Sequence, residues 1–156
     1  MAREREDVRV VLLELDSLNT MIRSGKTREE ASSYKSELCH QFADELGVNV
    51  VNIKGESFVA IAGTEAQISL CEKRASVNAN KAQGLDPDYN RADIKCHDTG
   101  DFPYPEFTEA VVHLQGLRAG TVPTFYQREL TGEIKVVPRR AAAVRSVEPG
   151  GGGMSR

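Results

Sequence analysis

The sequence predicts a single α+β domain over residues 1–137, followed by an extended C-terminal arm over residues 138–156. Apolar side chains recur at helical spacing in four segments. Two further pairs of segments are rich in β-forming residues, and a short turn joins the two segments of each pair. The chain has 156 residues, of which 40% are hydrophobic and 28% charged, a composition typical of one ordered domain. We therefore expect an N-terminal helical hairpin, two β-hairpins, two further helices and the arm.

The predicted helical hairpin joins residues 3–23 to residues 28–46. Apolar residues of the first segment recur at steps of three and four, at Val8, Val11, Leu12, Leu15, Leu18 and Ile22. Val10 and Leu13 widen this stripe beyond one face. The second helix is expected to begin at a capping box of Thr27 and Glu30 and to end before Gly47.

The "GKT" at residues 25–27 has the residue types of a phosphate-binding loop. That motif requires a glycine five residues before Gly25, where this chain has Thr20, and it requires a preceding strand. We therefore interpret Gly25 as a helix breaker and Thr27 as a helix cap.

The spacing of apolar residues then changes from a helical pattern to one typical of strands. Residues 48–53 and 58–62 predict a hairpin with a two-residue type II′ turn at Gly55-Glu56. Both faces of these strands are apolar, which predicts that the pair is covered on both sides. A third helix is expected over 65–79, capped by Thr64 and Gln67.

A fourth helix is expected to open at Pro105 and to close at Gly120. Its inward side chains are Phe107, Ala110, Val111, Leu114 and Leu117. A second hairpin is expected over 124–138, turning at residues 131–133. The sequence leaves open whether the two hairpins belong to one sheet.

Residues 84–106 are predicted to form a long acidic loop. Loops of this length are usually functional or ordered by a partner. The candidate partner-binding carboxylates are Asp86, Asp88, Asp93, Asp98 and Asp101. Asp86, Asp88 and Asn90 resemble the opening of a calcium loop, but Arg91 and His97 occupy the positions that require glycine and glutamate. We therefore expect no metal and no cofactor.

The three cysteines, Cys39, Cys71 and Cys96, predict reduced and mostly buried thiols. An odd count without short spacing is not a disulfide framework, and no zinc-binding spacing exists. Cys39 is expected to be buried and His40 exposed. Cys96 with His97 or His113 and Asp98 or Asp101 supplies the residue types of a thiol enzyme, but no complete catalytic motif accompanies them.

The arm and the domain carry net charges of opposite sign. Residues 138–156 hold four arginines against one glutamate, a formal charge of +3, so residues 1–137 carry −6 of the chain total of −3. Arg139, Arg140 and Arg145 suit an acidic surface such as the loop of a neighbouring copy. No apolar run is long enough to span a bilayer and no signal peptide is evident, so we expect a cytoplasmic protein without membrane contact.

These features favour a non-enzymatic assembly subunit that contacts copies of itself or other structural subunits, with a virion as one setting. The alternative is a small regulatory module that binds a partner protein through the helical hairpin or nucleic acid through the arm. Few aromatic residues accompany the arginines, so only weak phosphate contacts are expected there. An enzyme that uses residues 86–113 ranks third. No small-molecule substrate is expected.

Overall fold

The computed structural model describes residues 7–99, 105–117, 121–129 and 132–138, and it confirms the α+β class. The strands are β1 Arg9–Leu15, β2 Asn49–Ile53, β3 Phe58–Gly63, β4 Ile94–Asp98, β5 Phe125–Arg128 and β6 Ile134–Val137. The helices are α1 Ser17–Arg23, α2 Arg28–Glu45, α3 Glu65–Ala82 and α4 Thr108–Gln115, the last preceded by a 3₁₀ turn at Pro105–Phe107. Within these ranges, no helix has both the length and the apolar character needed to cross a membrane.

All six strands form one sheet in the order β4-β1-β3-β2-β5-β6. Neighbouring strands are antiparallel except β2 and β5, which are parallel. The first four strands and their helices follow the β-α-β-β-α-β order of a split βαβ unit, with α1 and α2 together forming the first crossover. The two predicted hairpins are β2–β3 and β5–β6, and the parallel β2–β5 pairing joins them.

Helices cover both faces of the sheet, as the apolar pattern of the second and third strands predicts. Alternate residues of β1 point to opposite faces, so Leu13 packs in the core beneath α2 and α3 and Leu12 packs in the core beneath α4. β2 divides in the same way, with Val50 on the first side and Val51 on the second. The core is therefore two apolar layers separated by one sheet.

The predicted helix over residues 3–23 is wrong for most of its described length. Residues 9–15 form a strand, and only residues 17–23 are helical. A central strand that is buried on both faces places apolar side chains at nearly every position, and such a run also satisfies helical spacing. Val10 and Leu13, which lie outside the helical stripe, were the signal for a strand.

Two loop predictions are corrected by strand pairing. Asn52 pairs with Val59, so the β2–β3 connection is a four-residue loop over 54–57 rather than a two-residue turn. Gly55 has a φ of 89° in this loop, which favours glycine. The predicted irregular stretch 84–106 contains β4, whose residues 94–98 pair with β1.

The predicted helix caps are confirmed. The Thr27 hydroxyl accepts a hydrogen bond from the Glu30 N–H at 3.0 Å, and the Thr64 hydroxyl accepts one from the Gln67 N–H at 3.2 Å. Each partner side chain accepts in return from the capping residue's backbone N–H. Two backbone donors at each helix start are thereby satisfied, which fixes where α2 and α3 begin.

Candidate functional site

The structure describes four of the five predicted acidic residues, and these differ in their surroundings. Asp86 accepts a hydrogen bond from the Asp88 N–H at 2.8 Å, which shapes its own turn, and both residues are exposed. Asp93 and Asp98 are each held by an arginine, Arg91 and Arg9 respectively. Asp101 and the three candidate arginines of the arm, Arg139, Arg140 and Arg145, lie outside the described residues.

Arg91 fixes the loop that follows α3. Its side chain is only 6% exposed and binds both carboxylate oxygens of Asp93, at 2.9 and 2.8 Å. It also donates to the Asn80 and Gln83 side-chain oxygens at 2.8 and 2.9 Å. Asn80 is buried and donates to the Pro87 and Tyr89 carbonyls. Asp93 therefore anchors this loop through Arg91.

Asp98 lies in a groove of about 640 Å³ where β1 begins and β4 ends, which we call the acidic groove. The groove is lined by Val8, Arg9, Val10, Glu65, Asp98, Thr99, Leu114, Gln115 and Leu117. The Arg9 guanidinium pairs with both Glu65 and Asp98, whose side chains are 71% and 57% exposed. Two carboxylates share one cation, so these three residues carry a net charge of −1. Val8, Val10 and Leu117 add an apolar wall.

The arm leaves the domain at the same end of the sheet as the acidic groove. Val137, the last residue of β6, pairs with Phe125, the first residue of β5. β5 is parallel to β2, and β2 is parallel to β1 because both are antiparallel to β3. The start of β1 and the end of β6 therefore lie at one end of the sheet.

Strand spacing sets how far the arm must reach to its own groove. β6 lies five strand steps from β4, a span of about 24 Å at the usual separation of strands. Arg139 and Arg140 extend only about 7–10 Å beyond Val137 even in a fully stretched chain. Arg145 extends to about 27 Å by the same measure. The backbone up to Arg140 therefore covers less than half of the span to Asp98 in its own chain, whereas the backbone up to Arg145 is long enough to cover all of it.

The thiol-enzyme alternative is not assembled by the described residues. Cys96 lies opposite Leu13 and faces the α2–α3 side, whereas His97 points to the other face and bonds Glu14 at 2.9 Å. Burial raises the pKa of the Cys96 thiol to about 12. His113 packs edge-on against Tyr126 with ring centres 4.6 Å apart. Cys96 and His97 therefore cannot act as a nucleophile and its base.

All three cysteines are free thiols, as predicted. Cys39 and Cys71 are buried and Cys96 is partly buried, and burial raises the pKa of each thiol to about 12. Thiols with such pKa values are protonated and unreactive at neutral pH. In the part of the chain that the structure describes, no three histidine, cysteine or acidic side chains are grouped so that they could hold a metal.

His40 is buried, contrary to the predicted exposure. It is only 7% exposed and packs edge-on against Phe125, with ring centres 4.7 Å apart. Its Nδ1 lies 3.9 Å from a carboxylate oxygen of Asp44, one helical turn further on. Phe125 comes from β5, distant in sequence, so reasoning about α2 alone could not identify this contact.

A second cavity, which we call the Lys35 cleft, was not predicted. It has a volume of about 440 Å³ and lies between α1, α2 and the 54–57 loop. Its lining residues are Leu18, Asn19, Ile22, Arg28, Ala31, Ser32, Lys35, Asn52, Lys54, Gly55, Glu56 and Ser57. The buried Lys35 ammonium donates to the Ile53 carbonyl at 2.7 Å and to the Glu56 carbonyl. Its place in the apolar stripe of α2, between Ala31 and Leu38, was the available sequence signal.

The burial of Lys35 predicts a pH-dependent contribution to stability. Burial lowers the pKa of Lys35 from 10.5 to about 8, so between these values the unfolded chain binds a proton that the folded chain does not. Stability from this group therefore rises with pH from 8 towards 10.5, and the burial penalty is fully present below pH 8. We expect the difference in unfolding free energy, wild type minus Lys35→Met, to increase between pH 8 and pH 10.5.

Urea unfolding of both proteins at a series of pH values measures this difference. Burial also raises the pKa values of the three thiols and Tyr34, which makes stability fall at higher pH. Those groups are present in both proteins and cancel in the difference. Lys73→Met, at an exposed position, is the matched control and should give a constant difference. A constant difference for Lys35→Met would contradict the prediction.

Comparison of the chain with protein-family models, with curated proteins and with solved structures gave no significant match. Function is therefore inferred from the acidic groove, from the Lys35 cleft and from the charge of the chain.

Proposed function

We propose that the protein is a non-enzymatic assembly subunit, in which the C-terminal arm of one copy docks in the acidic groove of the next. One observation supports this most strongly. The groove presents two exposed carboxylates for a single guanidinium, beside an apolar wall. The arm offers the complementary pattern, with Arg139 and Arg140 followed by alanines and Val144.

Chain length favours docking between copies. Within one chain the backbone up to Arg140 covers less than half of the strand-to-strand span to Asp98, so contact with the chain's own groove would have to be made largely through fully extended side chains. A neighbouring copy has no such limit. The contact joins two different surfaces and is therefore heterologous, and repetition of such contacts builds rings or open filaments.

The proposed contact is weak when made once. Exposed ion pairs contribute only about 0–1 kcal/mol each. Burial of Val144 and the alanines against Val8, Val10 and Leu117 would add an apolar contribution. In a closed ring each copy makes two contacts, so the assembly is held more tightly than a single pair. Because the charges are exposed, assembly should weaken as salt concentration rises.

A virion is the setting that we propose for such a subunit, because its shells and connectors repeat heterologous contacts. Other structural subunits with a similar groove could also receive the arm. If the arginines instead bind nucleic acid, the full chain should bind duplex or single-stranded probes at low salt and stay monomeric without them.

Neutralising the groove should reduce assembly. The double variant Glu65→Gln/Asp98→Asn removes both carboxylates and leaves Arg9 to repel an incoming arginine. We expect its native mass, measured by light scattering over a concentration series at low salt, to fall towards that of the monomer. The matched control is Asp86→Asn/Asp88→Asn, which removes the same charge from an exposed turn outside the groove.

The control double variant should assemble like the wild type. An equal loss of mass in both double variants would point to net charge rather than to the groove. Unchanged mass in the groove variant would contradict the proposed docking site.

A further inference from the structure

The Lys35 cleft is independent of the acidic groove. β1 and β2 are parallel, and the cleft lies beyond their carboxyl ends, whereas the groove lies where β1 begins. The two cavities are therefore at opposite ends of the sheet. The volume of the cleft, about 440 Å³, is within the range of sites for small organic ligands.

Asn52 supplies the strongest evidence that the cleft has an occupant. This residue is 4% exposed and lines the cleft. Its Oδ1 is buried and has no hydrogen-bond partner among the described residues. A buried acceptor without a donor is costly, and native structures usually satisfy one with protein, water or a ligand. An occupant that donates an N–H at this point would remove the cost.

The mouth of the cleft favours an anion. Arg28, the first residue of α2, lines the cleft and makes no ion pair within the described ranges. The positive end of the α2 dipole lies at the same place, although the first turn of α2 also carries Glu29 and Glu30. Lys35 and Lys54 add positive charge, although Lys54 lies 3.8 Å from Glu129 and Glu56 also lines the cleft. Arg28 is therefore the principal anion-binding group.

The distance between the two polar ends defines the size of the ligand. Arg28 and Lys35 are seven residues apart on one face of α2, which is about 10 Å along the helix axis. Asn52 lines the cleft near Lys35, which bonds the carbonyl of the next residue, Ile53. Leu18 and Ile22 of α1 and Ala31 of α2 line the space between these polar ends. The ligand therefore has an anionic end, an apolar middle and a donor at its far end.

We propose that the Lys35 cleft binds an adenine mononucleotide, with its phosphate at Arg28 and its base between the apolar side chains of α1 and α2. The N6 amino group of the base donates to Asn52 Oδ1. Asparagine carboxamides recognise adenine through N6 and N7, and arginine binds phosphate in a bidentate manner. This site does not depend on the Gly25-Lys26-Thr27 sequence, which connects the two helices.

Titration calorimetry on the full chain tests the site with adenosine 5′-monophosphate, adenosine and inorganic phosphate. We expect one mononucleotide per chain, with adenosine and phosphate each bound at least about tenfold more weakly, because each lacks one charged or hydrogen-bonded end. Arg28→Ala should weaken mononucleotide binding by about tenfold or more. Arg28 is exposed, so this variant should fold normally. Arg23→Ala, outside the cleft, is the control and should bind like the wild type.

Asn52→Ala gives a second, independent readout. This variant should weaken the binding of the mononucleotide and of adenosine and leave the binding of phosphate unchanged. Absence of mononucleotide binding would overturn the proposal. The proposal would also be overturned if neither Arg28→Ala nor Asn52→Ala changed mononucleotide affinity, or if phosphate bound as tightly as the mononucleotide. None of these results bears on the assembly proposal, whose variants lie at the other end of the sheet.

Discussion

We expect removal of residues 138–156 to leave a folded monomer, whereas the proposed function predicts that the full chain assembles. The deleted segment contains all the groups proposed to enter a neighbour's acidic groove, and β6 ends at Val137, before the cut. The sheet and both apolar layers remain, so the fold should persist. Light scattering over a concentration series, together with circular dichroism, checks mass and fold on the same samples.

Three further variants separate the charge of the arm from its length. The triple variant Arg139→Gln/Arg140→Gln/Arg145→Gln keeps the length of the arm but removes three positive charges. It should behave like the truncated chain. Arg139→Gln/Arg140→Gln should lose most assembly, whereas Arg145→Gln should lose less. The opposite order would place Arg145, rather than the Arg139-Arg140 pair, in the groove. A truncated chain with the mass of the full-length assembly would refute the role of the arm.

Arg91→Ala is expected to lower the free energy of unfolding by about 2–4 kcal/mol. The side chain is 6% exposed and joins Asn80, Gln83 and Asp93. Its removal leaves the partly buried Asp93 carboxylate without its counter-charge. For a chain of this size, that change corresponds to about 4–16 °C in melting temperature. Urea unfolding and thermal denaturation provide the measurements.

Arg74→Ala is the matched control for the Arg91 prediction. Arg74 also pairs with a carboxylate, Glu45, at 2.8 Å, but both partners are more exposed to solvent. Pairs of that kind contribute about 0–1 kcal/mol. Similar losses for the two arginines would show that the Arg91 network does not anchor the loop. Faster proteolysis within residues 84–93 of Arg91→Ala would locate the expected loosening.

The parts of the fold that were predicted correctly depend on local sequence. The α2 and α3 starts follow from hydrogen bonds between residues three positions apart, at Thr27 and at Thr64. The two faces of β2 follow from simple alternation, which places Val50 and Val51 in different layers. These signals act within a few residues and are readable without knowledge of the remaining chain.

The parts that were missed depend on contacts between distant segments. β1 was mistaken for a helix because burial on both faces, which α2, α3 and α4 provide, produces no simple alternation. The ion pair of Asp93 with Arg91 was not predicted, because it forms beside the end of α3 together with Asn80 and Gln83. Lys35 appeared to be an ordinary helix residue, since its acceptors, the Ile53 and Glu56 carbonyls, come from the next hairpin.

Cross-linking between two differently marked copies tests docking of the arm most directly. The first copy has Ala141→Cys in the arm and a groove neutralised by Glu65→Gln/Asp98→Asn. The second has Gln115→Cys in an intact groove and lacks residues 138–156. The native cysteines should not compete, because burial raises the pKa of each to about 12. A second copy with Asp88→Cys instead of Gln115→Cys is the control.

A short thiol-reactive cross-linker is added to an equimolar mixture of the two copies, and the products are separated by mass. We expect a cross-linked pair with one copy of each kind when the second copy has Gln115→Cys, and little product with Asp88→Cys. High salt should suppress the product, because exposed charges hold the arm in place. Equal yields at the two positions, or no cross-linked pair at low salt, would contradict docking of the arm in a neighbour's acidic groove.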